Sequence, residues 1–436
     1  MARHYYIETM GCQMNQYDSD HLGRILEDSG YLATSEPEEA DFVLVNTCSV
    51  RAKAEQKALS RLGRLVALKK KNPRLLVAVA GCVAQQRGTD LLARFPSLDL
   101  VLGPREIGRF RDILRKIEND GTRLAAVDVH RAPTAFMGRF EYFQHSVKAY
   151  ITIMEGCNNF CSYCIVPYVR GREISRPPHE ILEEARNLVL QGVREITLVG
   201  QNVNSYVYEK TRFPELLQAI NKIKTLHRMR FTTSHPKDLS EELIQCFARL
   251  EKLCPHIHLP FQAGSNRVLK AMKRGYTREK YMDLIRELRE ARPCIAVTSD
   301  VMVGFPGESE EDFELTLGLI CQIEFDNLYS FKYSDREGTP AVRMTDKIPE
   351  NQKLTRLARL QEVQRNITLK KNKELVGKSI EVLVEGTSKK GQQLTGRTDT
   401  NKIVNFNSDS SNINRLVNVK VKRSSFNSLW GELTSY

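Results

Sequence analysis

The chain has 436 residues, of which 41% are hydrophobic and 27% are charged, and this length allows two or three domains with cores of their own. No apolar run of about 18 residues occurs and the N-terminus lacks the apolar core of a secretion signal, so we expect a cytoplasmic protein without a membrane span. In that reducing compartment the ten cysteines should be thiols, metal ligands or catalytic groups, and the net charge of +12 favours a polyanionic partner.

In the first third of the chain, strands alternate with helices and a cysteine follows three of the strands. Apolar runs predict strands that end just before Cys12, Cys48 and Cys82, and LDLVLG predicts a fourth strand. This alternation predicts a parallel sheet of the Rossmann or flavodoxin type over residues 1–130. Ligands bind at the carboxyl ends of such strands, so we expect the three cysteines to converge. Three buried core thiols are the alternative, although MGCQ, NTCS and AGCV place each cysteine among small residues.

A second group of cysteines lies in GCNNFCSYCIVPY, directly after a strand predicted at VKAYITIMEG. Cys157, Cys161 and Cys164 are so close in sequence that one loop could wrap one metal centre. Four thiolates would close a tetrahedral zinc or iron site, whereas three thiolates leave one iron of a cubane open to a small chelating molecule. A zinc site completed from elsewhere and three unrelated thiols are the alternatives. The CxxxCxxC spacing, with Tyr163 before the last cysteine, resembles the signature of the radical S-adenosylmethionine enzymes.

The same count of three ligands applies to the cysteines of the first third. Three thiolates at the strand ends would again leave one iron without a protein ligand. We therefore infer a second iron–sulfur cluster on Cys12, Cys48 and Cys82.

Six strands separated by helices are predicted from VKAYITIMEG to NLYSFKYS, with Ser240 as the N-cap of one helix. Such alternation produces parallel strands, and six units are too few for a closed eight-stranded barrel. We expect an open, partial (β/α)6 barrel of the TIM type over residues 147–376, after a linker at 131–146.

Polar residues follow the strands of this barrel, and each could also be an ordinary loop cap. The resemblance to radical S-adenosylmethionine enzymes implies that these loops bind S-adenosylmethionine, through Tyr163, Gln201, Asn202, Ser234, Lys237, Gln262, Val303 and Gly304. His256 and His258 alternate on one strand face and are candidates for substrate contact or for polar core filling. The other four cysteines are expected to pack in the core: Cys246, Cys254, Cys294 and Cys321.

The last segment begins with a long helix, which carries an apolar stripe that includes Leu354 and Leu360. Five short strands then predict a small closed β-barrel of the oligonucleotide-binding (OB-like) kind over residues 377–436. This barrel is basic, and Trp430 could offer a face for base stacking. A solvated basic surface around a core tryptophan is the alternative. The candidate RNA contacts are Lys389, Lys390, Arg397, Lys402, Arg415, Lys420, Lys422, Arg423 and Phe406.

Two cysteine triads, a partial barrel and a basic β-domain in this order resemble the radical S-adenosylmethionine methylthiotransferases over essentially the whole chain. The most specific motifs are NTCSVR around Cys48 and GCNNFCSYCIVPYVRGREISRP. They are most similar to the branch that acts on N(6)-(dimethylallyl)adenosine at position 37 of tRNA, next to the anticodon. The C-terminal domain resembles the TRAM domain, an RNA-binding module. The branches that modify threonylcarbamoyladenosine in tRNA, or an aspartate of a ribosomal protein, share this layout and stay open.

The resemblance implies methylthiolation of adenine C2 with two 4Fe-4S clusters, one on each cysteine triad. An adenine C2–H bond is not acidic, so cofactors rather than a side-chain acid or base must supply the chemistry. S-adenosylmethionine is implied both as the source of the radical that removes the C2 hydrogen and as the methyl donor, with sulfur delivered at the auxiliary cluster. The implied partners are the anticodon stem-loop of tRNA and an electron donor such as flavodoxin or ferredoxin, with no membrane and a monomeric state.

Two rival functions come from other classes. A lipoyl-synthase-like enzyme inserts sulfur into a protein-bound chain, and it should have its second cysteine group near the first and no RNA-binding tail. A zinc-stabilised RNA-binding protein without enzymatic activity should contain zinc and no iron.

Overall fold

The computed structural model describes residues 2–49, 52–131, 147–388, 391 and 393–434. The predicted linker, apart from Arg131, lies outside these residues. Contacts divide the chain into two compact units. The first unit joins the described part of 1–139 to 155–158 and 164–174, and the second contains the described part of 140–154, 159–163 and 175–436. Within the described residues, no helix is long and apolar enough to cross a membrane.

A six-stranded parallel sheet forms the centre of the first unit. In chain order its strands are Arg3–Met10, Tyr31–Ala33, Phe42–Thr47, Leu76–Gly81, Leu100–Leu102 and Leu124–Ala126. The second strand lies outside the first and the others follow in order, which is the flavodoxin-like arrangement and confirms the predicted class. Two three-residue strands, Tyr31–Ala33 and Leu124–Ala126, are additional to the four predicted ones, because a strand this short shows no periodicity in sequence.

Both faces of this sheet are covered. Phe42 and Leu44 point into one hydrophobic core, and Val43 and Val45 point into the core on the other face. This alternation is why the strand reads as a continuous apolar run rather than as an apolar and polar one. The described α-helices of this unit are Gln13–Asp28, Ala52–Val66, Cys82–Arg87, Thr89–Arg94, Phe110–Asp120 and Val166–Val169.

An open (β/α)6 barrel forms the main part of the second unit, as predicted. Its strands pair in parallel in two three-stranded sheets. In chain order they are Lys148–Thr152, Glu195–Val199, Arg228–Phe231, His256–His258, Ala296–Val303 and Asn327–Lys332. The helices are Pro178–Leu190, Phe213–Asn221, Glu241–Arg249, Asn266–Ala271, Arg278–Ala291, Glu310–Ile323 and Glu350–Lys373.

Local signals in the sequence account for the helix ends of this barrel. The Ser240 hydroxyl accepts a hydrogen bond from the amide of Leu243, as expected of the predicted N-cap.

Cys246 and Cys254 are buried as predicted. The prediction of core packing was wrong for Cys294 and Cys321, which are exposed because they lie outside the buried faces of their segments.

The C-terminal β-barrel is closed and has the five predicted strands. They are Ser379–Thr387, Leu394–Thr398, Ile403–Asn407, Leu416–Ser424 and Leu429–Leu433. Its core is made by inward-facing residues such as Val382, Val404, Phe406 and Val419, each fully buried.

Candidate functional site

The three strand-end cysteines of the first unit lie at one level of the sheet. Met10 pairs with Thr47 and Thr47 pairs with Gly81, so the strands that precede the cysteines end side by side. The neighbouring Cys48 side chain lowers the pKa of the Cys12 thiol. Burial raises the pKa of Cys82. The sheet register therefore brings together residues that are far apart in sequence.

Hydrogen bonds from Asn15 connect these strand ends. Its carbonyl oxygen accepts from the amide of Cys12 at 3.2 Å and lies 3.4 Å from the Cys12 sulfur, and its amide nitrogen donates to the carbonyl of Thr47 at 3.1 Å. Gly81 has a φ of +92°, and a β-carbon there would clash with the Thr47 carbonyl. The close approach of two strand ends thus requires glycine directly before Cys82.

A buried cation, Arg170, lies beside these thiols, and the sequence analysis missed it. Its guanidinium donates to the carboxylate of Asp18 at 2.6 Å, and both side chains are less than 5% exposed. Burial alone would lower the pKa of Arg170, but the Asp18 carboxylate outweighs that effect and raises it. The charge of Arg170 also lowers the pKa of the Cys82 thiol, against the larger effect of burial. Arg170 lies within the motif GCNNFCSYCIVPYVRGREISRP, but the sequence does not indicate that this arginine is buried.

The CxxxCxxC loop begins in the first unit. The Cys157 amide donates to the carbonyl of Gly171 at 3.1 Å, and Gly156, with a φ of +80°, leaves no room for a β-carbon against the Arg172 carbonyl. Arg105, itself buried, donates to the carbonyls of Arg170 and Arg172 at 2.9 and 2.6 Å. These bonds fix the backbone on both sides of the segment that contains Cys157 and Cys164.

The middle of the same loop is anchored in the second unit. Ser162 donates from its amide to Met272 at 3.0 Å and from its hydroxyl to Ala271 at 2.9 Å, and its carbonyl accepts from Ala341 at 2.8 Å. Cys161 is buried, and the guanidinium of Arg274 donates to its sulfur at 3.4 Å. Among the described residues, no three cysteine, histidine or acidic side chains stand at metal-ligating distances. The assignment of both triads as cluster ligands therefore stays a prediction.

Several predicted S-adenosylmethionine contacts lie at the carboxyl ends of the second and third barrel strands. Asn202 is buried and donates to the carboxylate of Asp238 at 2.7 Å, while Lys237 is exposed. In these two strand-end loops, three of the buried polar atoms that have no hydrogen-bond partner in the described structure are Oδ1 of Asn202, Oγ of Ser234 and Nε2 of His235. Two of these residues were predicted, and His235, between Ser234 and Lys237, was missed.

The protonation state of His235 follows from its surroundings. Its Nδ1 accepts a hydrogen bond from the amide of Lys237 at 3.2 Å. Burial, together with the charge of Arg274, lowers the pKa of His235 to about 2, so the ring is neutral and carries its proton on Nε2. The buried, unpaired Nε2 is therefore a hydrogen-bond donor.

The other predicted S-adenosylmethionine contacts lie on further strand ends, and some are already engaged. Gln262 is buried with a φ of +65°, Tyr163 packs against the small core around Phe305, and Gln201 is partly buried in the loop before Asn202. Val303 is fully buried, so it can offer only its backbone. The Gly304 amide already donates to the carboxylate of Glu308 at 2.6 Å.

His256 and His258 share the hydroxyl of Thr298, at 3.2 and 3.1 Å. Burial lowers the pKa of His256 well below its usual value. The pair therefore has a structural partner within the barrel, which favours the polar-filling interpretation.

The predicted RNA contacts of the C-terminal β-barrel divide into exposed and engaged residues. The prediction for Phe406 is wrong, because its ring is fully buried in the barrel core and cannot stack on a base. Lys402 is 15% exposed and paired with Asp326, and Arg397 is paired with Glu385. The exposed cations lie on or beside the strand Leu416–Ser424: Arg415, Lys420, Lys422 and Arg423. Lys389 and Lys390 lie outside the described residues.

Trp430 is partly exposed, and the guanidinium of Arg423 lies 5.5 Å from the centre of its ring. Lys422 is paired with Glu432 at 2.8 Å on the surface. The outer face of this strand thus combines cations with one accessible aromatic ring.

Three family models match the chain in succession. Uncharacterized protein family UPF0004 matches residues 4–103, the Radical SAM superfamily matches 151–320 and the TRAM domain matches 373–434. The second match implies a 4Fe-4S cluster and S-adenosylmethionine as cofactors, and the first is consistent with a second cluster.

Solved structures confirm the fold. A radical S-adenosylmethionine methyltransferase, TsrM, from Kitasatospora setae is 17% identical with a TM-score of 0.56, over 78% of this chain and 77% of that one. The cobalamin-dependent S-adenosylmethionine radical enzyme OxsB is 11% identical with a TM-score of 0.51, over 83% of this chain and 56% of that one. At such identities the likeness concerns the fold alone.

Curated relatives match along the full length. A tRNA-2-methylthio-N(6)-dimethylallyladenosine synthase of Syntrophus aciditrophicus is 51% identical over 99% of this chain and 94% of the relative. Enzymes with the same name from Syntrophobacter fumaroxidans and Clostridium botulinum (strain Okra) are 50% and 46% identical, over 99% and 98% of this chain and 96% of each relative. The chain belongs to the family of the tRNA-2-methylthio-N(6)-dimethylallyladenosine synthases, within the radical S-adenosylmethionine methylthiotransferases that its cysteine motifs resemble.

Proposed function

We propose that this protein attaches a methylthio group to C2 of N(6)-(dimethylallyl)adenosine next to the anticodon of tRNA, the reaction for which its relatives are named. The observation that carries the proposal is the position of Cys12, Cys48 and Cys82 at the level ends of three adjacent strands, in a chain that also has the CxxxCxxC loop. The first feature suits a sulfur-delivering centre and the second suits a radical-generating one.

The donor set of the first unit fits an iron–sulfur cluster. Thiolates are the ligands that such clusters prefer, and a cation near them offsets their negative charge. Arg170 supplies this cation beside Cys82, and its ion pair with Asp18 fixes its orientation. Cys12, Cys48 and Cys82 would hold the auxiliary 4Fe-4S cluster, whose open iron supplies a place for sulfur.

The CxxxCxxC loop would hold the second cluster, through Cys157, Cys161 and Cys164. When bound there, the cluster with S-adenosylmethionine supplies the radical that removes the C2 hydrogen. The protein itself anchors the start and the middle of the loop by backbone hydrogen bonds to Gly171 and Met272. These contacts keep the loop in place and need no acid or base from the chain.

The unpaired polar atoms at the barrel strand ends fit a bound S-adenosylmethionine. A buried polar atom without a partner is unfavourable, so such atoms mark places where a polar ligand completes the hydrogen bonds. Oδ1 of Asn202 is an acceptor, suited to an ammonium group, and Nε2 of His235 is a donor, suited to a carboxylate or a hydroxyl. Ser234 can act in either role. Together they match a ligand that carries both charges of an amino acid.

The exposed basic strand of the C-terminal β-barrel would hold the tRNA. Lys420 and Arg423 are exposed and can meet phosphates at its surface, and Trp430, beside Arg423, offers a ring for an unstacked base. The adenosine must leave its stack to expose C2, which costs a few kcal/mol and depends on a firmly held anticodon loop. An electron donor such as flavodoxin or ferredoxin completes the proposed set of partners for a cytoplasmic, monomeric enzyme.

Mass spectrometry of tRNA nucleosides tests the proposal. Cells that lack this gene should lose 2-methylthio-N(6)-(dimethylallyl)adenosine and accumulate the unthiolated nucleoside, and the intact gene should restore it. Loss of the methylthio form of threonylcarbamoyladenosine instead would assign the chain to that branch. An unchanged nucleoside profile with loss of a modified ribosomal aspartate would assign it to the protein-modifying branch.

A further inference from the structure

A fully enclosed arginine, Arg274, touches the middle cysteine of the CxxxCxxC loop. Its side chain is 5% exposed, and its three donor groups go to three different partners. Nη2 donates to the Pro260 carbonyl at 2.8 Å, Nε to the Tyr276 hydroxyl at 3.1 Å and Nη1 to the Cys161 sulfur at 3.4 Å. The guanidinium is thereby held in one orientation against the thiol.

The turn before Arg274 directs this side chain. The helix Asn266–Ala271 ends in a Schellman motif, in which the Lys273 amide donates to Lys270 and the Arg274 amide donates to Leu269, both at 3.0 Å. Lys273 takes the left-handed position with a φ of +57°, where glycine is the usual residue. A residue with a side chain is unfavourable in that conformation. The chain tolerates this strain at the position that sets the direction of Arg274.

The charge of Arg274 lacks an acidic partner. No carboxylate lies within ion-pair distance of it in the part of the chain that the structure describes. Buried charges are normally paired because desolvation of an isolated ion is very unfavourable. By contrast, the buried Arg170 and Arg230 each face a carboxylate, Asp18 and Glu195. Arg274 has instead two neutral oxygens and one sulfur, so its natural counter-charge is an anionic group bound through Cys161.

We propose that Arg274 is the charge partner of the cluster held by the CxxxCxxC loop and that it sets the reduction potential of that cluster. A cation that donates a hydrogen bond to a ligating sulfur stabilises the more negative, reduced form, which raises the potential. One electron enters from an external low-potential reductant, and no bond is made or broken at Arg274. Arg274 is thus a positioning residue, and this inference rests on the function proposed above.

The test compares Arg274→Gln and Arg274→Lys with the exposed control Arg286→Gln. Arg286 lies on the helix Arg278–Ala291 and is 64% exposed, so its loss should not alter the loop. Each full-length variant also carries Cys12→Ala, Cys48→Ala and Cys82→Ala, so that one cluster is observed. The measurements are iron content and the midpoint potential, by electron paramagnetic resonance during titration with dithionite.

We expect Arg274→Gln to lower the ratio of reduced to oxidised cluster about tenfold at a fixed potential, a shift of about 59 mV for one electron. Arg274→Lys should shift it less, and Arg286→Gln should leave it unchanged. If Arg274→Gln loses iron and Arg274→Lys does not, this result also supports the charge partnership, because lysine keeps the positive charge. An unmoved midpoint at full iron content, or loss of iron from both variants, overturns it. A parent chain that binds no iron would instead refute the proposed function.

Discussion

Replacing Arg230 with methionine should loosen the C-terminal β-barrel from the (β/α)6 barrel. Arg230 lies in the strand Arg228–Phe231 of the (β/α)6 barrel. Its guanidinium donates to the carbonyls of Asp399 and Thr398 in the C-terminal β-barrel, at 2.6 and 2.7 Å. Its Nε also lies 3.0 Å from the carboxylate of Glu195, and both side chains are about 5% exposed. One buried cation therefore links two domains and balances one buried anion.

The size of the effect follows from what the substitution leaves behind. Methionine has a similar length but no donor, so Glu195 becomes a buried carboxylate without its cation and two carbonyls lose a bond. Removal of one partner of a buried ion pair typically costs about 3–5 kcal/mol. With a urea dependence of about 3 kcal/mol per molar, the unfolding midpoint should fall by about 1–1.7 M.

The single tryptophan, Trp430, lies in the C-terminal β-barrel, so its fluorescence reports the unfolding of that domain. Arg415→Met is the matched control, because Arg415 is an exposed arginine of the same domain and its loss should change stability by less than about 0.5 kcal/mol. Adding Glu195→Gln to Arg230→Met should recover part of the loss, since the stranded charge is removed. A loss below about 1 kcal/mol for Arg230→Met would refute the reasoning.

Three further predictions concern the site. Cys161→Ala should abolish the release of 5′-deoxyadenosine under reducing conditions. Cys48→Ala should keep this release but stop methylthiolation, and it should lower the iron content by about half, as two clusters of similar type imply. A Cys48→Ala variant that still forms the full methylthio product would contradict this prediction. Lys420→Glu should weaken tRNA binding and make the affinity less dependent on salt, as measured by filter binding. Lys370→Glu, on the long helix, is the control. Equal affinities of the two variants would show that the strand Leu416–Ser424 does not bind the RNA. Burial raises the pKa of Glu308 to about 7 from its usual 4.5, so the folded state holds this proton more tightly and stability should fall as the pH rises from about 4.5 to 7. Thermal unfolding across that range should show a shallower decline in Glu308→Gln, and identical slopes would contradict the assignment.

The sequence predicts most of the architecture because each prediction rests on a local periodic signal. Strands with continuous or alternating apolar residues, and a helix that begins after Ser240, are found as predicted. The placement of Cys12, Cys48 and Cys82 is also predictable, since strand ends in a parallel sheet share one edge. These predictions need only the local pattern of apolar residues and the rule that parallel strands end at the same edge of a sheet.

Errors arise where the residue type overrode the pattern. Phe406 lies two positions after Val404 in a strand, so period two alone places both on one face, and both are fully buried. It was assigned to RNA because it is aromatic. Leu354 is an error of another kind, because the apolar stripe itself placed it on the buried face of the long helix, whereas it is 51% exposed. Buried polar groups such as Arg170, His235 and Arg274 were missed for the opposite reason, since their residue types normally lie at the surface.

In the long helix Glu350–Lys373, buried polar residues contact two parts of the second unit, the loop around Gly304 and the C-terminal β-barrel. Its buried face repeats every four residues and is mainly polar: Arg356, Leu360, Gln364, Thr368 and Asn372. Near its start, Arg356 donates at 2.8 Å to the Glu308 carboxylate, which accepts from the amide of Gly304 at the end of a barrel strand.

Near the end of the same helix, Asn372 donates to the carbonyl of Ser425 in the C-terminal β-barrel at 2.9 Å. Sixteen residues of helix separate Arg356 from Asn372, which corresponds to about 24 Å. Because both ends are fixed by buried hydrogen bonds, the helix sets the distance between the strand-end loop around Gly304 and the proposed RNA-binding barrel. The polar residues that fix this distance within the second unit are the ones an amphipathic pattern does not reveal.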